Sequence, residues 1–418
     1  MTRSLSRASS IGAAVLLLQG SVPVDSSQIG PNLLPDQKSI SCASGPLQLL
    51  YRPLTTPVAG LQASGDIPLP TLGPIAPSGK HPYGTFFPPP GYVEGGTFPA
   101  LDASQGNRPG LFVAEWNVAR GKGLEGLIRT MREVDADVWI LNETDLYGGP
   151  AAGRVIAQEM ARALGYSYVT TVEFYELRDD RRGMSGNAIV SRYPFKSARR
   201  MYIPMYVEGE PKIDLDGNGF IEGDEATTGG HDWADPKSLA GGVEPRCGQR
   251  SAVSAYIEVP NAAGTTTLIN IISIHTENLE GSANLEIRGP KIRWLQTQAV
   301  RRILVVPGEP TVMAGDLNTL ADEPLAFQSL LRQEFQRADA RPGEGAARAF
   351  VDCSFGDPRS THKVGLLPAA HLDWILVQEG YSGAISCSRD TYRIIDSPAS
   401  DHMIVASRIF VRGAPTPP

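Results

Sequence analysis

From residue 110 onward, short apolar runs recur along the chain, each closed by a polar or turn-forming cluster. They occupy 111–116, 138–141, 188–190, 268–274, 311–314, 374–377 and 404–411. Runs of this length predict buried strands. Four stretches have a helical texture instead, at 124–134, 153–164, 292–304 and 324–335, and predict helices. Short buried strands with helices between them predict an α/β chain with a two-sheet core and helices outside. No internal repeat interrupts the pattern.

The first quarter of the chain reads differently. Residues 27–110 are rich in Pro, Gly and Ser, with Phe-Phe-Pro-Pro-Pro-Gly at 86–91, and neither periodicity persists there. This predicts a Pro/Gly-rich N-terminal extension packed over the domain, not a second catalytic unit. Ahead of it, Arg3 and Arg7 precede an apolar stretch at 11–18, then small residues and Pro23. That order predicts a signal peptide within 1–26 and a secreted or periplasmic protein. Eight apolar residues are too few to span a bilayer, and no later segment is long enough either.

Composition narrows the function classes. Of 418 residues, 41% are hydrophobic and 20% charged, which fits a globular protein with a sizeable core. The net charge of −7 excludes a chain that holds nucleic acid by bulk electrostatics, though a local basic groove stays open. Arg178, Arg181, Arg182, Arg199 and Arg200 are candidates for one; solvated arginines are the plainer account. Cys42, Cys247, Cys353 and Cys387 show no CxxC spacing, so two disulfides and four free thiols both remain open.

The candidate chemistry lies where the apolar runs stop. The first ends at Asn117, the second at Asn142-Glu143, the fourth at His275 and the fifth at Gly315-Asp316-Leu317-Asn318. Near the C-terminus the polar groups come first: Asp373 precedes one run and Asp401-His402 the other. A strand packed between layers cannot hide an unpaired carboxylate in its middle, but its end opens on a rim. If the last two strands run opposite to the others, all these groups meet on one rim. Acids so gathered repel one another unless a cation sits among them. Singly, each is an ordinary turn residue.

Their order resembles the endonuclease/exonuclease/phosphatase superfamily, the DNase I-like fold. The matching pieces are Trp116-Asn117, Asn142-Glu143, the run 186–194, Ser273-Ile274-His275, 315–318, Leu372-Asp373-Trp374 and Ser400-Asp401-His402. They span about 110–411, near three quarters of the chain. Asn142 departs from the Gln more often seen before the metal-binding Glu, a change expected to matter little. The resemblance implies a four-layer α/β/β/α sandwich and metal-dependent phosphoester hydrolysis by Mg²⁺ or Mn²⁺. It makes Asn117, Glu143 and Asp401 metal ligands. Asp316 orients or deprotonates the attacking water, and Asn318 holds water or phosphate. His402, oriented by Asp373, and His275 serve phosphate binding and proton transfer. Arg250 reads either as a phosphate contact or as a solvated surface residue.

A second metal is written into 214–225. Asp214, Asp216, Asn218, Phe220 (by its carbonyl), Glu222 and Glu225 stand at the oxygen-donor positions of a twelve-residue EF-hand loop, with Gly219 at its sharp turn. Between Glu208 and Glu225 seven acids face one lysine, a local charge of −6, which disfavours closure without a cation. Prolines upstream and glycines downstream exclude the flanking helices of a sensor. The expectation is one structural Ca²⁺ inserted in the domain spanning 111–412.

The functional expectation is an exported, metal-dependent phosphoesterase acting on a nucleic acid, phospholipid or sugar phosphate, with no protein partner implied. The competing expectation is a non-catalytic, calcium-stabilised binding protein on the same fold. The site residues favour the enzyme, because a binding relic has no need of all of them.

Overall fold

The computed structural model describes residues 93–98, 110–146, 154–176, 183–203, 246–248, 250–276, 308–321, 349–364, 367–379 and 383–412, with parts of 40–47, 293–306 and 327–332. The expected signal peptide, most of the extension, and the 214–225 loop with its expected Ca²⁺ ligands lie outside the described residues, as do Arg178, Arg181 and Arg182.

Apart from a two-residue pair at Ile40–Ser41 and Pro46–Leu47, the strands are β1 (Val93–Thr97), β2 (Leu111–Asn117), β3 (Val138–Asn142), β4 (Ser167–Glu176), β5 (Gly183–Ser191), β6 (Phe195–Tyr202), β7 (Arg246–Gly248), β8 (Ser251–Pro260), β9 (Thr266–Ile274), β10 (Thr311–Asp316), β11 (Val351–Asp352), β12 (His362–Val364), β13 (Leu367–Ala370), β14 (Asp373–Gln378), β15 (Ile385–Cys387), β16 (Arg393–Ile395) and β17 (Ile404–Val411). The α-helices are α1 (Leu124–Val134), α2 (Ile156–Leu164) and α3 (Gln328–Arg332), with helical residues also within 293–304. One sheet has nine strands in the order β15-β17-β2-β3-β5-β4-β1, with β16 added to β17 and β7 to β4. The other has six, β11-β14-β10-β9-β8-β6.

Alternation along each strand builds the layers. On β2, Leu111 and Val113 join a core that also holds Ile271 of β9, Val312 and Ala314 of β10, and Ile375 and Val377 of β14. That core lies between the sheets. Ala114 and Trp116 face the other way, onto Leu127 and Met131 of α1 and Met160 of α2. Trp374, Leu376 and Met313 cover the outer face of the six-stranded sheet beneath Val300, Leu304 and Leu330. The result is the α/β/β/α sandwich expected from the sequence. Helix α1 forms where Leu124, Leu127 and Met131 recur on one buried face, and α2 stops at Gly165, whose positive φ returns its N–H to Ala161 and Arg162.

Chain direction then places the chemistry. β2 runs parallel to β3 and β9 parallel to β10, while β17 is antiparallel to β2 and β14 antiparallel to β10. The C-terminal ends of four strands therefore share a rim with the N-terminal ends of the last two.

Three features differ from expectation. Val93–Thr97, inside the presumed extension, pairs with β4 as an edge strand of the larger sheet. Strands β4 and β6 carry too many polar residues to register as apolar runs. Those polar groups are bonded instead: Arg200 is buried and donates to Thr171 Oγ1 (3.0 Å) and Val172 O (3.2 Å) across the sheets. Arg199 donates to Leu304 O at 2.8 Å, so neither arginine contributes to a basic rim. Of the cysteine alternatives, Cys353 and Cys387 form a disulfide that joins the segment after β11 to β15, one sheet to the other. No helix among the described residues is long and apolar enough to cross a membrane.

Candidate active site

Three inward-facing carboxylates arise from strand geometry alone. Asp316 and Asp373 are register partners at the ends of β10 and β14. Two residues inward from each, Ala314 and Ile375 point between the sheets, so Asp316 and Asp373 do as well. Glu115 continues the same inner row of β2, between Val113 and Asn117. All three are buried.

Asn117 links the sheets at the rim. Its Nδ2 donates to Glu143 Oε1 at 3.3 Å and to Asp316 Oδ2 at 3.2 Å. Its Oδ1, the atom expected to bind metal, accepts the Ala119 N–H at 3.1 Å. Asn142 does more than its change from Gln implied. Its Oδ1 accepts the Asp316 N–H at 2.7 Å, and its Nδ2 donates to Asn187 Oδ1 at 2.7 Å. One amide thus fixes the backbone of Asp316 from the opposite sheet. Glu143 (φ 51°) and Asn318 (φ 45°) both hold left-handed backbone, a costly conformation that concentrates at functional positions. Asn318 N donates to Asp316 Oδ1 at 2.9 Å and its Nδ2 to Thr276 O at 3.0 Å.

Two imidazoles flank Asp316. His402 Nε2 lies 3.7 Å and His275 Nε2 3.6 Å from Asp316 Oδ2. Behind His402, both Asp373 oxygens sit 2.9 Å from Nδ1. Burial opposes a charge there, but Asp373, then Asp316, and more weakly Asp401, outweigh it and lift His402 to about 10. Ser400 accepts the His402 N–H at 3.1 Å while donating to Asn117 O at 2.7 Å, tying the loop before β17 to the end of β2.

Behind His275 is a pair that the sequence did not reveal. Arg250 Nη1 lies 2.6 Å from His275 Nδ1 and 3.3 Å from Glu173 Oε2. Arg250 is therefore buried beside the imidazole, its Nη1 also 3.1 Å from His275 Nε2, and is not a solvated surface residue. Burial alone would raise Glu173, but Arg250 and His275 overcome it and hold the carboxyl below its ordinary range. Glu173 and Asn187 sit inside strands, so no strand-end signal marks them. Only its partners, which are distant in sequence, identify Glu173, whereas Asn187 falls in the run 186–194 that carries the family resemblance.

Glu115 was missed for the same reason. Neither of its carboxylate oxygens has a hydrogen-bond partner among the described residues. Burial first, then Asp373 and Asp316, push its carboxyl well above the usual range. The gathered acids fit a hard cation. One ligand atom each from Asp316, Asp373 and His402 lie within 4.8 Å of one another, and carboxylate-rich donor sets suit Mg²⁺ or Mn²⁺. Asp401 stands apart from that group, exposed on the rim beside Ser400.

The strand ends of a four-layer sandwich thus bring buried acids and two imidazoles to one rim, where a group of three could hold a metal ion. The Endonuclease/Exonuclease/phosphatase family pattern matches residues 114–402, and the chain belongs to that family. Its members are metal-dependent phosphoesterases, nucleases and phosphatases. No curated protein matches the chain. Among solved structures, it is similar to an endonuclease/exonuclease/phosphatase from Beutenbergia cavernae (18% identity, TM-score 0.47, 74% of each chain covered). It is also similar to the human Nocturnin catalytic domain (13% identity, TM-score 0.45, 76% of this chain and 97% of that one). A mannosyl-6-phosphatase from Bacteroides thetaiotaomicron matches at 14% identity and TM-score 0.39, covering 72% of this chain and 99% of that one.

Proposed function

We propose that the protein is an exported, divalent-metal-dependent phosphoesterase that cleaves its ester by in-line attack of water. The observation that carries this reading is Asp316 Oδ2 between two imidazole Nε2 atoms, at 3.6 and 3.7 Å. Asp316 accepts a proton from water as the new P–O bond forms. Asn318, braced on Asp316 and Thr276, holds that water or a phosphoryl oxygen. His402, kept charged by Asp373 and 3.7 Å from Asp316 Oδ2, donates to a phosphoryl oxygen on the side of the attacking water, and the departing oxygen takes its proton from solvent as its bond to phosphorus breaks. His275, whose ring nitrogens lie 2.6 and 3.1 Å from Arg250 Nη1, stabilises charge on the phosphoryl oxygens together with that guanidinium. Mg²⁺ or Mn²⁺ would be held by Glu143 with Asn117 beside it, next to the Asp316–Asp373–His402 group, and Asp401 on the rim would be a second, separate ligand. The ion neutralises phosphoryl charge when bound.

Two further features support the wider reading. A disulfide between the sheets suits an oxidising compartment, in keeping with export. The EF-hand pattern at 214–225 supports one structural Ca²⁺, and calorimetry at millimolar Ca²⁺ should show binding that Glu225→Gln weakens. The catalytic reading is tested with generic phosphodiester and phosphomonoester substrates. EDTA should abolish hydrolysis and Mg²⁺ or Mn²⁺ restore it. Asp316→Ala and His402→Ala should each lower turnover by about 10²-fold or more with the fold intact. Near-normal turnover in both purified variants removes the mechanism. A wild-type protein that hydrolyses neither ester yet binds Ca²⁺ would be the non-catalytic binding protein.

A further inference from the structure

We infer that His362 is a substrate-holding residue, its imidazole taking an oxygen of the phosphate ester beside His402. The inference builds on the phosphoesterase reading and extends the site to a residue outside the strand-end set. His362 opens β12, which forms with β13 a small hairpin that belongs to neither large sheet. Its ring centroid lies 4.6 Å from that of His402, with the planes tilted by 46°. The two residues also form an antiparallel backbone bridge.

This placement is built, not incidental. The neighbouring Thr361 is buried, and its Oγ1 accepts the N–H groups of Leu372 (2.9 Å) and Asp373 (3.1 Å). Thr361 O accepts the Met403 N–H at 2.6 Å, and Lys363 N donates to Asp401 O at 2.9 Å. The hairpin is thereby pinned to both members of the Asp373–His402 pair, on each side of His362. A chance surface histidine on an unanchored loop would lack this register.

The chemistry follows from the ring's surroundings. His362 is half-buried, and its side chain makes no hydrogen bond among the described residues. The Nδ1 of His402 is committed to Asp373, so its Nε2 edge serves the site. A second imidazole, its centroid 4.6 Å from that of His402, offers another N–H to the same anionic group. Two neutral or cationic N–H donors at this spacing suit phosphoryl oxygens, which accept several bonds at once. The alternative is that His362 only props the His402 ring, and the two roles differ in what they change. A prop acts on turnover through His402, whereas a substrate-holding ring acts on phosphate affinity.

The test uses the full-length, Mg²⁺-loaded protein with inorganic phosphate as the calorimetric probe and a nitrophenyl phosphodiester as the substrate. His362→Ala should weaken phosphate binding about 5- to 10-fold and raise KM similarly, with kcat within about twofold. His362→Gln, which keeps an N–H donor, should recover part of both. Unchanged phosphate affinity and KM in a variant with wild-type melting behaviour overturns the inference. A fall confined to kcat also overturns it, in favour of the prop. If the wild type binds phosphate but cleaves no ester, the phosphoesterase reading fails while the His362 affinity result still decides this one.

Discussion

His402 has three acids about one imidazole, and this arrangement leaves a mark on pH dependence. Its folded value of about 10 lies above the ordinary 6.5. The stability it contributes is complete below pH 6.5 and drains as pH rises toward 10. Urea melts of metal-free protein should show that decline, and His402→Gln should flatten it. Asn142→Ala should cost about 1–3 kcal/mol, because the Asp316 N–H and the Asn187 amide lose a buried partner. Equal urea midpoints for the variant and wild type would refute the inter-sheet role of Asn142. At this scale the sequence revealed Asn117, Glu143, Asp316, Asp373 and His402, because each stands where an apolar run stops. Glu173 and Glu115 sit within strands, where a polar residue ordinarily signals a solvated face. Their burial depends on partners more than ten residues away, which no local pattern displays.

Elements inherit their limits from those residues. Gly315 lies where β10 presses on β9, and a Cβ there would stand 1.7 Å from Ile274 O. Backbone cannot yield that much, so Gly315→Ala should lose roughly 3 kcal/mol or more and displace Asp316. Thermal melts alongside turnover would check both, and a well-folded, active variant would contradict the close approach. Helix α1 and strand β17 matched expectation to the residue, because their apolar periods are unmixed. Strands β4 and β6 did not register, since threonine, glutamate and arginine occupy faces that meet bonded groups instead of oil. The same rule explains Arg199 and Arg200: charge in the sequence says nothing of direction until the strand's partners are known.

At the scale of the whole molecule, the disulfide and the order of strands set the assembly. Cys353 and Cys387 are 34 residues apart and enclose Thr361, His362 and Asp373. Replacing both by Ala should cost about 3–4 kcal/mol through the looser unfolded chain. Denaturant melts with and without reductant would measure it, and identical midpoints would deny the tie its role. The overall sandwich was legible because its layers follow from strand and helix periods; which strand neighbours which was not. β17 in particular packs beside β2, one strand in from the edge of the larger sheet, although it is the C-terminal-most described strand. A nascent chain emerging from the ribosome would hold β15 and β16 without a sheet partner until that piece arrived. His402, two residues ahead of that strand, would arrive with it. Translation stopped near residue 398 should yield only protease-sensitive product, with the enzyme ripening all at once instead of by halves.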